Sequence, residues 1–521
     1  MGGNPAVSSK GACAPFFVLL ALCSGIVACG RIASDPEGEA VQYDIVLVGG
    51  RVIDPETGLD AIRNVGIVGR NIAAVAAAAM QGTTTIDASG LVVSPGFINV
   101  HSHSWTPLGQ EFELRDGVTT ALELEAGAYP VGKFGTHVPI AVAGNARINF
   151  GASVGHAWIR SALLEGQNFL TGADEMISRA IASGGAGDME RPAFRSVLSP
   201  QQRQHLRTHL EAGLDHGGLG IGMLLDYMSE VVDDAEMQVV FDVAAERQAP
   251  IVVHIRRGIA GDVSGLREII RFARSSGAPV HICHVQANAM GNIHEFLRLI
   301  RDARAEGVRI TTESFPYNAA ATSNTAAVFN RDWQTIFNIT YEDVEWAATG
   351  ERFNEEMWHE YRDKRPGGWV IHHYNKEEWT SVATEAPDVV VAADGFPVFS
   401  LKKKVAPFGI GTNSRVLGRY VREKGSLSLT DAIAKMTYLP ASILDGYSPA
   451  MALKGRIQPG ADADITIFDP NTVIDNATFE DPYQASSGID YVIVGGEIVI
   501  RAGEMQENVF PGRRVLRGEP K

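Results

Sequence analysis

Two histidines one residue apart close an apolar run, Pro95-Gly96-Phe97-Ile98-Asn99-Val100-His101-Ser102-His103. On an extended strand, residues two apart point the same way, so His101 and His103 present their imidazoles from one face. Two imidazoles on one face make half of a metal site, although the pattern is too short to carry an assignment alone. Three more polar side chains interrupt apolar runs in the same manner: His254 in PIVVHIRR, His284 in PVHICHVQ and Asp394 in VVVAADG. A buried imidazole or carboxylate without a partner is costly, and one shared partner accounts for all five more simply than five separate ones. Histidines joined by a carboxylate select a borderline-soft ion such as zinc, whereas calcium and magnesium call for oxygen donors. The chemistry expected of such a set is metal-assisted hydrolysis by activated water.

These strand ends lie far apart in the chain, so a fold has to gather them. Short apolar runs alternate with longer amphipathic stretches, the rhythm of parallel βα units. Strands are expected near 97–103, 119–126, 137–145, 217–225, 250–255, 279–284, 308–314 and 388–393, with helices such as 235–248 and 263–276 between them. Eight parallel strands predict a TIM (β/α)8 barrel over 95–447, with the active site at the C-terminal strand ends. The stretch 318–387, rich in Trp, Tyr and charge, is too long for a plain connection and is expected to be an inserted subdomain over the barrel mouth. The phrases IVLVGGRVI and YVIVGGEIV, near opposite ends of the chain, almost repeat each other. Residues 42–94 and 448–512 are therefore expected to fold together as one small β-sandwich domain.

At these residues the chain resembles the amidohydrolase superfamily, and within it the D-aminoacylase (N-acyl-D-amino-acid deacylase) family. The likeness runs through nearly all of the chain after its N-terminal segment and rests on PGFINVHSH, GVTTALELEAG, the strand of His254, ICHVQ, ESFPYNA, AADG, RVLGRYVREKGSLSLTDAIAKMT and LKGRIQPGADADITIFDP. The resemblance implies that His101, His103, His254 and His284 are ligands of one or two zinc ions, and that Asp394 is both ligand and general acid/base. It also implies that Tyr227 is a candidate hydrogen-bond donor to the oxyanion, the alternative being a packing tyrosine, and that Arg415 grips a substrate carboxylate, with Arg256 placed to assist. The activity implied is hydrolysis of an amide in a small N-acyl amino acid of the D series or a related dipeptide.

The chain departs from the family pattern at two places. D-aminoacylases carry a bridging cysteine on the second strand and other amidohydrolases a carboxylated lysine on the fourth; here Ala126 stands at the first place and GLGIGMLLDY lacks a lysine at the second. Glu123 and Glu125 share one face of the second strand, and Glu125, nearer its C-terminal end, is expected to supply the bridge. The alternative is that both form salt bridges at the barrel rim. Gln286 replaces a lysine at the substrate mouth, which leaves room for a dipeptide, a bulkier amide or a lactone. A lactonase or imidase, and a lipid-anchored binding protein without turnover, are the rival readings. His281, His294, His372 and His373 have no place in the motif and are expected at the surface or behind the ligands.

A formal net charge of −16 argues against nucleic acid or an anionic membrane surface as partner, which leaves a small molecule. Three of the four cysteines, Cys13, Cys23 and Cys29, fall in the first thirty residues, so a disulfide framework is not expected. Lys10 followed by the apolar run 16–28 suits a signal peptide over 1–28. Ile26-Val27-Ala28-Cys29-Gly30 resembles the bacterial lipobox, implying an exported lipoprotein held to the outer membrane only through lipid at Cys29.

Overall fold

Eight short parallel strands carry the site in the computed structural model, whose described residues are 1–2, 42–136, 144–166 and 188–518. The strands are β1 (Phe97–Asn99), β2 (Val118–Ala128), β3 (Asn149–Gly155), β4 (Ile221–Leu224), β5 (Ile251–His254), β6 (Val280–Ile282), β7 (Ile310–Ser314) and β8 (Val389–Val391). They pair in chain order from β1 to β8. Beyond the strand ends, Ser102 bridges Gly395 and the Asp394 N–H donates to the His101 carbonyl at 2.9 Å, which closes the barrel. The closing seam thus runs through the HxH pair and Asp394.

Seven strands lie where the apolar runs predict them, and the third does not. Most of the expected strand 137–145 falls outside the described residues, and β3 is the small-residue segment NFGASVG. Packing selects that composition. A Cβ on Gly151 would meet Leu219 and the Val515 carbonyl at 2.7 Å, and one on Gly155 would meet the Ala126 carbonyl at 2.5 Å. Helices Asp234–Arg247 and Ser264–Ser276 follow β4 and β5 as expected. The first is capped by Asp233, which accepts the Glu236 N–H at 2.8 Å, and the second stops at Gly277 in the left-handed region.

Both chain ends join one sheet. Strands Gln42–Asp54, Leu59–Val68, Asn71–Ala76, Gln81–Asp87 and Val92–Pro95 hydrogen-bond with Ile465–Phe468, Ile489–Val494, Glu497–Arg501 and Glu504–Met505. Thr466 pairs with Ser94 where the two ends meet. The nine strands are joined by hydrogen bonds into one sheet, with Gln81–Asp87 branching from Gln42–Asp54, and Leu47, Val65, Val93, Ile465 and Ile493 from the two segments share one core. The expected signal peptide and Cys29 lie outside the described residues, and no helix among the described residues is long and apolar enough to cross a membrane.

The insertion between β7 and β8 holds a four-stranded sheet of Ala320–Ser323, Val344–Trp346, Glu351–Arg352 and Trp369–His372. Its aromatic core includes Phe329, Trp333, Phe353 and Trp358, with the Phe329 and Trp358 rings 4.9 Å apart. Six of its side chains line the pocket at the barrel mouth.

Candidate metal centre

His101 and His103 follow β1, Glu125 stands on β2, His254 ends β5, His284 follows β6 and Asp394 follows β8. His284 (φ 33°) and Asp394 (φ 53°) occupy the left-handed region, which costs a non-glycine residue energy and is typical of functional turns. On β2 the register with β3 shifts between Glu123 and Ala128, so the Glu125 segment bulges inward. Gly222 on β4 makes the room, since a Cβ there would lie 2.3 Å from the Glu125 carbonyl.

Glu125 sits between two imidazole pairs. Its Oε2 lies 3.3 Å from His101 Nε2 and 3.6 Å from His103 Nε2, and Asp394 Oδ1 stands at the same two distances from the same atoms. Its Oε1 lies 3.1 Å from His254 Nδ1 and 3.0 Å from His284 Nε2. Ligands about 2.0–2.1 Å from a tetrahedral zinc are roughly 3.3 Å from one another, so both groups have the spacing of a zinc cage.

The donor chemistry fits as well. His101 Nδ1 donates to Glu313, and His103 Nδ1 donates to Glu123 Oε2 at 2.7 Å. With Nδ1 as the donor, a neutral imidazole at either position would turn an unprotonated Nε2 inward as a metal ligand must, and the two Nε2 atoms lie 3.2 Å apart. Facing lone pairs repel unless a cation lies between them. Burial lowers the affinity of His101 and His103 for protons, yet Glu125, Asp394 and Glu313 around the first and Glu123, Asp394 and Glu125 around the second hold both well above the ordinary imidazole range. Glu125 stays well below the carboxylate range despite burial, because His101, His103 and His254 face it. The centre demands positive charge. A third cluster, His101, Cys283 and Glu313, lies behind the first, where one Glu313 oxygen accepts from His101 Nδ1 and the other from His281 Nε2 at 2.9 Å.

Above the centre opens a pocket lined by His103, Glu125, Tyr227, His254, His284 and Asp394, by Arg257, and by side chains of the insertion. Residues 84–500 match the amidohydrolase family. The chain belongs to that family. It is 30% identical over 477 residues to an N-acyl-D-glutamate deacylase of Alcaligenes xylosoxydans xylosoxydans, covering 87% of this chain and 93% of that protein. It is 26% identical to a D-aminoacylase of the same organism, covering 92% of this chain and 98% of that one. The crystal structure of N-acyl-D-glutamate deacylase from Bordetella bronchiseptica, in complex with zinc and a phosphonate that mimics the tetrahedral intermediate, matches with TM-score 0.73 at 26% identity, over 92% of this chain and 100% of that one. Within the amidohydrolases the chain falls among the D-aminoacylases.

Not every residue singled out in the sequence reaches the pocket of this amidohydrolase. Arg415 donates to the Pro316 carbonyl at 2.7 Å and pairs with Asp475 at 3.0 Å. Arg256 is spent on Glu268 and on the carbonyls of Ser229 and Val232. Gln286 is buried against the Phe315 carbonyl. Arg415, Arg256 and Gln286 are thus engaged within the protein, and none of them is among the described residues that line this pocket. Glu123 lies behind His103 rather than between the pairs. Of the unassigned histidines, His294 is exposed, His373 bonds Glu345 at 3.1 Å, His281 supports Glu313, and His372 lines the pocket. Sequence reasoning passed over Arg257, Asp226 and Glu313. Glu313 stands in the polar strand ITTES, so the rule of a polar group interrupting an apolar run, which found His254, does not reach it.

Proposed function

We propose that this metal-dependent amidohydrolase uses zinc, one ion or two, to hydrolyse the amide of small N-acyl amino acids of the D series. The observation that carries the reading is Glu125 placed between two imidazole pairs at the floor of a pocket that also presents Asp394 and Tyr227. The names of the relatives, N-acyl-D-glutamate deacylase and D-aminoacylase, support the substrate class. His101, His103, Glu125 and Asp394 would hold one ion. Glu125, His254 and His284 would hold the other with a coordination position to spare, as in catalytic rather than structural sites.

The chemistry supplied by bound zinc is a lowered pKa for water, from 15.7 to roughly 7, and a polarised carbonyl. Asp394, with a side chain 17% exposed to the pocket, accepts the proton of the attacking water and delivers it to the leaving amine nitrogen. Burial and the charge of Glu125 keep the Tyr227 phenol protonated. The Thr322 hydroxyl donates to the Tyr227 oxygen at 3.2 Å, so the phenol proton is left to meet the developing oxyanion.

Metal analysis of the purified chain, followed by N-acyl-D, N-acyl-L and dipeptide substrates beside a lactone and a cyclic imide, tests the reading. Fastest release of amine from an N-acyl-D-amino acid is expected. Turnover confined to the lactone or the imide would transfer the assignment to those reactions, and full zinc without turnover of anything would leave a binding protein. Export and lipid attachment at Cys29 belong to the same proposal, supported by the lipobox-like Ile26–Gly30. A Cys29→Ser chain should move from the membrane fraction to the soluble one; unchanged membrane association would remove the anchor from the proposal.

A further inference from the structure

The pocket above the metal centre is lined by one guanidinium among the described residues, that of Arg257. The residue is 7% exposed, and its backbone N–H is fixed by Asp226 Oδ1 at 2.9 Å. Its side chain is only partly satisfied. Nη2 reaches Asn288 Oδ1 at 3.3 Å, Nη1 stands 3.9 Å from Asp226 Oδ2, and Nε has no partner among the described residues. Phe337 and Tyr374 lie against the group, with ring centroids 5.1 and 5.8 Å from its central carbon. Asp226 does not neutralise it alone, because Arg331 donates to that same carboxylate at 3.0 Å. Two guanidiniums share one carboxylate, and a positive charge is left over at the pocket wall.

The rest of the wall is mostly apolar, Ala287, Ala320, Ala321, Val328, Trp369 and Phe396, with Thr322, whose hydroxyl proton already goes to the Tyr227 oxygen. His372 also lines it, beside the Ala320 backbone and with no side-chain partner for either ring nitrogen among the described residues. Burial and the neighbouring Arg257 hold that imidazole well below its ordinary range, so it adds a neutral polar group and no second cation. A guanidinium buried with a donor to spare suits one planar anion.

We propose that Arg257 is the carboxylate-binding, specificity-determining residue of this pocket, and that it selects N-acyl amino acids with a single carboxylate and an apolar side chain. The inference rests on the deacylase reading above and narrows it. An N-acyl-glutamate or N-acyl-aspartate would carry a second carboxylate, which would have to lie on a largely apolar wall whose described lining offers no second cationic side chain to receive it.

Acetate release by the zinc-loaded chain is to be compared for N-acetyl-leucine, its uncharged C-terminal amide and N-acetylglutamate, each in both chiralities. Native protein should favour N-acetyl-leucine over the other two by about 100-fold in kcat/KM. Arg257→Met should collapse the ratio of N-acetyl-leucine to its amide to near unity, chiefly through KM, and Arg257→Lys should retain part of it. A preference of the native protein for N-acetylglutamate, or a ratio that Arg257→Met leaves intact, overturns the assignment of Arg257 while the deacylase reading stands. Should Arg257→Met not fold, the native substrate ratios and Arg257→Lys decide. If none of the three substrates is hydrolysed in either chirality, the deacylase reading falls and takes this inference with it.

Discussion

The two imidazole pairs on either side of Glu125 are alike in spacing and unlike in what stands behind them. His101 and His103 are backed by carboxylates, Glu313 and Glu123, and faced by Asp394. His284 has the amide of Asn288 beside its Nδ1 at 3.3 Å, and Asp226 comes no nearer to His254 than 4.0 Å. Accordingly His101 and His103 are drawn to bind protons, whereas burial and the neighbouring His284 hold His254 below its usual range. Positive charge belongs more strongly on the HxH side. The side of His254 and His284 is electrically leaner and lies toward Arg257, which suits the arrival of an anionic substrate.

If Glu125 joins the two halves, Glu125→Ala should have the largest effect of any single change. Zinc content by mass spectrometry should fall on both sides, and activity should fall by at least about 10⁴-fold. Full zinc content in that variant would show that the pairs hold their ions independently and would end the bridging role. Asp394→Asn should separate chemistry from binding. Zinc should remain on the His254 and His284 side, while kcat should fall about 10²- to 10⁴-fold through loss of the proton carrier. Retained kcat would place the acid/base function elsewhere in the pocket.

How much of this was legible in the chain depends on where the backbone remains extended. The period of two places His101 beside His103 and Glu123 beside Glu125, and it holds because those residues lie on or against the β1–β2 ladder. It fails at Arg256. β5 ends at His254, the chain turns, and the Arg257 N–H is tied to Asp226 Oδ1, so Arg257 lines the pocket and Arg256 points to Glu268. Arg415 could not be placed from its motif, because its partner Asp475 lies sixty residues further on. β3 escaped notice because its glycines answer to Leu219 and Ala126, contacts that no local pattern records.

Glu313→Gln should sharpen the comparison by acting on one half only. The amide can still accept from His101 Nδ1, but it removes a buried charge behind the HxH pair. Metal affinity on that side should weaken about 10- to 100-fold, the usual cost of losing a partner that orients a ligand. Dialysis against a weak chelator, followed by metal counting, should leave the other side loaded. Equal loss from both sides would mean that the halves are not electrically distinct.

Asn288→Ala is expected to be the mildest change, and it probes the leaner half. The Asn288 amide donates to the Cys283 carbonyl at 3.0 Å, lies beside His284 Nδ1 and accepts from Arg257, so it links an imidazole of the centre to the charge at the pocket wall. No ionised partner is removed, and a neutral hydrogen bond contributes about 1 kcal/mol, equivalent to roughly a fivefold change. Metal retention on the His254 and His284 side should therefore change only about fivefold, while KM for a carboxylate substrate should rise as Arg257 loses its fixed orientation. A loss of metal as large as that in Glu313→Gln would show that geometry rather than charge distinguishes the two halves.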